Sequence, residues 1–160
     1  MQREHFEPLR IIGADRIGLS PFLLVCDHAS NALPEAYGTL GLPASEFERH
    51  IAWDPGAALL VEALAGRLNA PAVLSCFSRL LIDPNRGTDD PTLVMRLSDG
   101  TVIPGNRDVT DVEIAARIAA FHDPYHRAID DAIERALASG IAPALLSIHT
   151  FTPVWRGEPR

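Results

Sequence analysis

Two histidines each close a short apolar run: His28 ends Phe22-Leu23-Leu24-Val25-Cys26-Asp27-His28, and His149 ends Ala144-Leu145-Leu146-Ser147-Ile148-His149. Both runs are too short for a helix and follow a proline, Pro21 and Pro143, so they read as buried strands of one sheet. In open α/β sheets the carboxyl ends of the strands face the ligand crevice, which would deliver both imidazoles to one place. Two histidines meeting there suggest a metal. A catalytic zinc usually takes three protein ligands and keeps a fourth position for water, so a third donor is needed. Asp54 and Asn31 are the candidates. Asn31 follows His28 by three residues, but a neutral amide is a poor zinc donor beside a carboxylate, so Asp54 is preferred. Asp54 also suits the N-cap of a following helix, and its two oxygens allow both roles.

Arg79, Asp83, Asn85 and Arg86 form a second constellation, in Ser78-Arg79-Leu80-Leu81-Ile82-Asp83-Pro84-Asn85-Arg86. Asp83-Pro84-Asn85 reads as a polar turn with solvated charge. An arginine beside an asparagine at the mouth of a sheet offers a bidentate fork and an amide, a natural clamp for a carboxylate. His122 and His126 are four apart on a helix, but Pro124 lies between them and no glutamate follows His122, so the match to a zinc-protease helix is poor. His126 reads better as a residue beside the substrate or behind a ligand. Tyr125 reads as core, and His5 and His50 carry no argument.

The elements that must position these groups alternate. An amphipathic helix is expected from Asp54-Pro55 to about Leu68, with Pro55 at its first position and Leu59, Leu60, Ala63, Leu64 and Leu68 supplying its periodicity. A strand is expected over Ala72 to Phe77, followed by Leu80-Leu81-Ile82 and the turn at Asp83. Residues 88–109 read as a long loop with a short hairpin. Thr110-Asp111-Val112-Glu113 is a capping box that starts a helix running to Gly140, which Pro124 should kink or divide. Residues 151–160 read as loop. The β-α-β-α-β order predicts one α/β domain over residues 1–160 with a partly parallel sheet.

Composition bounds the function. Hydrophobic residues make up 47% and charged residues 22%, which suits a globular protein; no apolar run reaches membrane-span length and no signal-peptide core follows Met1, so a cytoplasmic location is expected. A net charge of −7 with thinly spread positive charge argues against nucleic acid as a partner. All 14 basic residues are arginine, which leaves no lysine for Schiff-base chemistry and supplies guanidinium forks that suit carboxylates. Cys26 and Cys76 lie in apolar runs without a CxxC partner and are expected to pack as small hydrophobes.

The segments Val25-Cys26-Asp27-His28-Ala29-Ser30-Asn31 with Pro34, Trp53-Asp54-Pro55-Gly56-Ala57, Ser78-Arg79 to Asp83-Pro84-Asn85-Arg86, Pro124-Tyr125-His126 and Ser147-Ile148-His149-Thr150-Phe151 together resemble the N-formylglutamate amidohydrolase family, from about residue 20 to 152. The resemblance implies a zinc-carboxypeptidase-like, phosphorylase/hydrolase-like fold, a three-layer α/β/α domain with a mixed sheet. It implies hydrolysis of the N-formyl amide of formylglutamate late in histidine degradation, on one Zn2+ held by His28, Asp54 and His149. It also implies that Asn85-Arg86, with Arg79 and Asn31 nearby, holds the carboxylate of a small acidic N-acyl amino acid. Family members continue past the strand ending at His149, into a part carrying the glutamate expected as general base, so the chain is expected to be shortened at its C-terminus. Within it Glu35, Glu158 and His126 are candidates for proton transfer, none with a spacing argument, and His126 is taken as the catalytic one. Two alternatives stand beside this: a shortened, non-catalytic relative that binds a small acidic ligand or metal, and an amidase for another N-acyl amino acid. A shortened chain would expose a sheet edge for a second subunit to cover, giving a homo-oligomer.

Overall fold

The computed structural model describes residues 6–155 together with 158 and 159. Along the chain run β1 (Leu9–Ile12), β2 (Phe22–Cys26), α1 (Ala57–Leu68), β3 (Ala72–Ser75), a hairpin of β4 (Leu97–Ser98) and β5 (Thr101–Val102), α2 (Asp111–Arg117), a π-helical turn over Ile118–His122, α3 (Asp123–Ala138), β6 (Ala144–Ser147), and a second hairpin of β7 (Val154–Trp155) and β8 (Glu158–Pro159). The central sheet has the order β1-β3-β2-β6. β2 pairs in parallel with both β3 and β6, while β1 pairs antiparallel with β3, so the sheet is mixed.

Strand alternation sorts the core into two layers. Leu24, Cys26, Ala72 and Leu74 face α1, where they meet Ala57, Val61 and Ala65. Leu23, Val25 and Val73 face α3 and pack on Tyr125, Ile129 and Ala132. The expected α/β/α layering and mixed sheet are therefore present. Cys26 is buried in the first layer, and burial pushes its thiol up to about 12, which keeps it an inert hydrophobe.

Several local expectations shift. α1 begins at Ala57 after Gly56 in a left-handed conformation with φ 85°, and no side chain caps it. Asp54 is therefore not the N-cap and Pro55 is not the first helical residue; the Asp54 carboxylate is engaged elsewhere. The buried stripe of α1 is Ala57, Val61 and Ala65, whereas Leu59 is 72% exposed and Leu60 44%. Small residues at four-residue spacing let the helix lie close on the sheet, which turns Leu59, Leu60 and Leu68 outward and leaves Leu64 half-buried at the core's margin. β3 stops at Ser75 rather than Phe77, one residue short of the Cys76 amide, which still donates to the Pro8 carbonyl in register with β1 (2.9 Å). Residues expected as loop after 151 include the β7–β8 pair.

The hairpin expected within residues 88–109 is β4–β5. Thr110 Oγ1 accepts from the Glu113 amide (3.3 Å), but the Glu113 carboxylate turns to Arg117 (2.6 Å), so half of the capping box forms. Pro124 enters at the start of α3, where its missing amide proton costs little, and the π-helical turn before it separates α2 from α3. No helix among the described residues is long and apolar enough to cross a membrane. β6 closes one edge of the sheet with Ala144, Leu145 and Ser147 exposed.

Candidate metal centre

The parallel pairing of β2 and β6 places their carboxyl ends side by side, with Val25 opposite Ser147. One step of alternation further puts Asp27 and His149 on the α3 side of the sheet and His28 on the α1 side. The Asp54 amide donates to the His28 carbonyl (3.0 Å), which draws the segment before α1 against the end of β2. Ser78 Oγ and the Arg79 amide both donate to the Ala52 carbonyl (2.8 and 3.1 Å), which brings Arg79 beside Asp54.

His28 and His149 thus converge, with ring centroids 5.2 Å apart. His28 Nε2 meets Asp83 Oδ1 at 2.7 Å, and its Nδ1 faces Asp54 Oδ2 at 3.5 Å. His149 presents Nδ1 to the same Asp54 oxygen at 2.9 Å, while its Nε2 lies 3.3 Å from Asp27 Oδ2. The other oxygen of Asp54 is ion-paired with Arg79. Both rings therefore have an aspartate behind Nε2 and turn Nδ1 inward toward one shared carboxylate. A cavity of about 290 Å³ opens over this group, lined among others by His50, Arg79, Asn85, Thr150 and Phe151.

Burial disfavours charge on His28, Asp54 and Asp83, and their mutual contacts outweigh it. Desolvation opposes protonation of His28, yet the Asp54 carboxylate facing it and the hydrogen bond to Asp83 hold its pKa above the ordinary 6.5. Burial likewise works against ionised Asp54 and Asp83, but the His28 hydrogen bond and, for Asp54, the Arg79 charge hold both below 3.8. Depressed carboxylates add stability above their ordinary pKa and lose it as pH falls through the folded value. A raised histidine adds stability below 6.5 and loses it as pH rises through the folded value. The metal-free protein should therefore melt higher at about pH 5.5 than at about pH 8.5, and His28→Ala should shrink that difference. Thermal melts in chelator check this; equal differences in both proteins would refute it.

The other expected residues distribute around this group. Asn85 lines the cavity, and Arg79 does so with its guanidinium committed to Asp54. Arg86 sits next in the chain, its side chain 48% exposed, with long approaches to Asp83 (3.8 Å) and Asp90 (3.7 Å) among the described residues. Asn31 does not line the cavity; its amide donates to the Phe47 carbonyl (2.8 Å). His126 also lies outside the lining, with Nε2 on the Pro84 carbonyl (2.9 Å), while His122 Nε2 meets the Arg86 carbonyl (2.9 Å). The two ring centroids lie 4.3 Å apart with the planes tilted by 37°, and the rings hold the turn that carries Asp83 and Asn85. Glu35 is exposed and outside the lining, and the Glu158 side chain lies outside the described residues.

Sequence reasoning missed the partner roles of Asp27 and Asp83 and the cavity position of His50, whose Nε2 is 3.6 Å from Asp99 on the β4–β5 turn. The signal for Asp27 was its place in strand alternation. Nothing local pointed to His50.

His28, Asp54 and His149 each offer a donor atom within 4.8 Å of the others, and the buried Nδ1 of His28 has no hydrogen-bond partner. Two imidazole nitrogens and a carboxylate oxygen are an ordinary donor set for a divalent metal, with aspartates behind both rings as such histidines usually have. The residues present fit a metal ion.

Two solved structures share the fold of this chain. A crystal structure of a gene product from Agrobacterium tumefaciens superposes with a TM-score of 0.92 at 37% identity, covering 97% of this chain and 61% of that one. The crystal structure of an N-formylglutamate amidohydrolase from Ralstonia eutropha superposes with a TM-score of 0.74 at 22% identity, covering 97% of this chain and 64% of that one. The chain thus spans under two thirds of the length of these relatives. No curated protein gives a match. The family model described as N-formylglutamate amidohydrolase matches residues 20–159, the stretch that contains every group of this candidate centre, and the chain belongs to that family.

Proposed function

We propose that this chain hydrolyses the N-formyl amide of an acidic amino acid, N-formylglutamate to glutamate and formate, with one zinc ion held by His28, Asp54 and His149. The observation that carries this reading is the shared orientation of the two imidazoles, each backed at Nε2 and open at Nδ1 toward one Asp54 oxygen. A zinc ion bound there supplies Lewis acidity toward the formyl carbonyl and lowers the pKa of bound water to roughly 7.

The chain's own residues do the rest. Arg79 holds Asp54 Oδ1 and so leaves Oδ2 for the histidines. Asp83 keeps the hydrogen of His28 on Nε2, which frees the Nδ1 lone pair. Asn85 on the cavity wall and Arg86 beside it take the substrate carboxylate, and the looseness of Arg86's existing ion pairs supports that role. His126, through the Pro84 carbonyl, steadies the turn that presents them. Hydrolysis adds the water oxygen to the formyl carbon, breaks the C–N bond, and returns a proton to the leaving nitrogen.

A formate-release assay over N-formyl and N-acetyl amino acids, with and without chelator, tests this. Turnover should favour N-formylglutamate and vanish with chelator. Arg86→Ala should raise KM roughly 10–100-fold for acidic substrates, the equivalent of about 1.5–3 kcal/mol for a charge-assisted contact. Indifference to the substrate carboxylate would remove the clamp. Zinc binding without turnover of any amide would favour a ligand-binding role instead.

A further inference from the structure

Tyr125 reads as a core aromatic, and most of it is: the ring is fully buried against Leu23, Val25 and Ile129. Its hydroxyl does something else. It donates to Asp27 Oδ1 at 2.7 Å, from α3 to the end of β2, across 98 residues of chain. Asp27 is itself only 7% exposed, and its other oxygen faces His149 Nε2 at 3.3 Å and the Ser147 hydroxyl at 3.5 Å. We infer that Tyr125 and Asp27 are positioning residues that lock the ring and tautomer of His149, so that its Nδ1 points at the metal.

This deepens the metal reading above and rests on it. His149 needs such a lock more than His28 does. His28 leaves a central strand and its side chain is 3% exposed, whereas His149 follows an edge strand and its side chain is 21% exposed. The last backbone tie before it is the Ile148 amide to the Val25 carbonyl (3.0 Å), so the ring direction must come from side-chain contacts. Ser147 Oγ lies 3.1 Å from Nε2, but a hydroxyl can donate or accept and selects no tautomer. A carboxylate accepts only, so once a metal ion takes the place between Nδ1 and Asp54 Oδ2, 2.9 Å apart without it, Asp27 keeps the hydrogen on Nε2 and leaves the Nδ1 lone pair to the ion. Burying a carboxylate is costly unless it is hydrogen-bonded, and the Tyr125 hydroxyl meets that need from the helix layer. Burial and the Asp27 charge push the phenol far above its ordinary pKa, so it stays a donor.

Three measurements on the full chain test this: zinc affinity by competition with a chromophoric chelator, the His149 tautomer from imidazole ¹⁵N spectra of the zinc-loaded protein, and metal-free melting temperature. Tyr125→Phe keeps the ring and removes only the hydroxyl; it should weaken zinc binding about tenfold. Asp27→Asn replaces the acceptor by an amide and should weaken it roughly 10–100-fold, with His149 losing its Nε2–H preference. Unchanged zinc affinity in both variants overturns the inference. So does a loss of affinity that follows melting temperature while the His149 tautomer stays as in wild type. Wild-type protein that takes up no zinc sinks the metal centre itself, whereas wild-type binding matched by both variants sinks only the positioning role.

Discussion

An alanine at position 28 is expected to remove bound zinc and formyl-amide hydrolysis together. Wild-type protein should carry about one zinc per chain and His28→Ala none, with activity reduced by at least about a thousandfold, because water of pKa about 15.7 would replace one near 7. The geometry explains why compensation is not available. His28 Nδ1 is the buried, unpartnered donor of the group, and the ring fills the space between Asp54 and Asp83. Without it, two buried carboxylates lose their shared partner, so the metal-free variant should also be less stable at neutral pH. Metal analysis and formate release on the same preparation separate the outcomes. Retained zinc at wild-type stoichiometry would reject His28 as a ligand.

Arg117→Ala is expected to cost the fold more than any substitution on the protein's surface. Arg117 is 1% exposed, the buried residue of a helix whose other residues are exposed or half-buried. It donates to the Leu81 carbonyl (2.9 Å), to Asn106 Oδ1 (2.8 Å) and to Glu113 (2.6 Å), and its guanidinium lies 5.0 Å from the centre of the Tyr37 ring. Asn106 is fully buried and in turn donates to the carbonyls of Leu80 and Met95 (both 2.8 Å). This network joins α2 to the segment before Asp83 and to the segment entering the β4–β5 hairpin. Alanine leaves a cavity and several buried acceptors without donors, together about 3–5 kcal/mol. For a domain of this size that is a fall of roughly 6–20 °C in melting temperature. Arg117→Met, which refills the volume and leaves the 44%-exposed Glu113 carboxylate to water, should fall less. A melting temperature within about 2 °C of wild type for the alanine variant would refute the network's importance.

Much of the architecture was readable in the residues because it is decided locally. The apolar runs ending at His28 and His149 are strands; Thr110 caps a helix; Pro124 divides one; a hairpin interrupts residues 88–109. Each follows from periodicity, from a side chain reaching its own neighbouring amide, or from a missing amide proton. The meeting of two histidines followed from strand direction alone. The face of α1 was not readable, because leucine spacing promised burial and only the close approach of the sheet selects Ala57, Val61 and Ala65 instead.

Asp54 shows where local reasoning ends. One backbone amide would reward it as an N-cap by about 1 kcal/mol, whereas the folded chain offers it a guanidinium and two imidazoles. Asp83 looked like a turn residue and does accept the Asn85 amide (2.9 Å), but the same oxygen also meets His28, 55 residues away. By itself, then, the order of residues determined the strands, the helix boundaries near strong caps and breakers, and the histidine pair. The tertiary structure alone decided which carboxylate stands behind each ring, that Tyr125 reaches Asp27, and that Arg117 is buried. The reason is physical: backbone preferences act over a turn or a strand, while a buried charge takes whichever partner packing delivers.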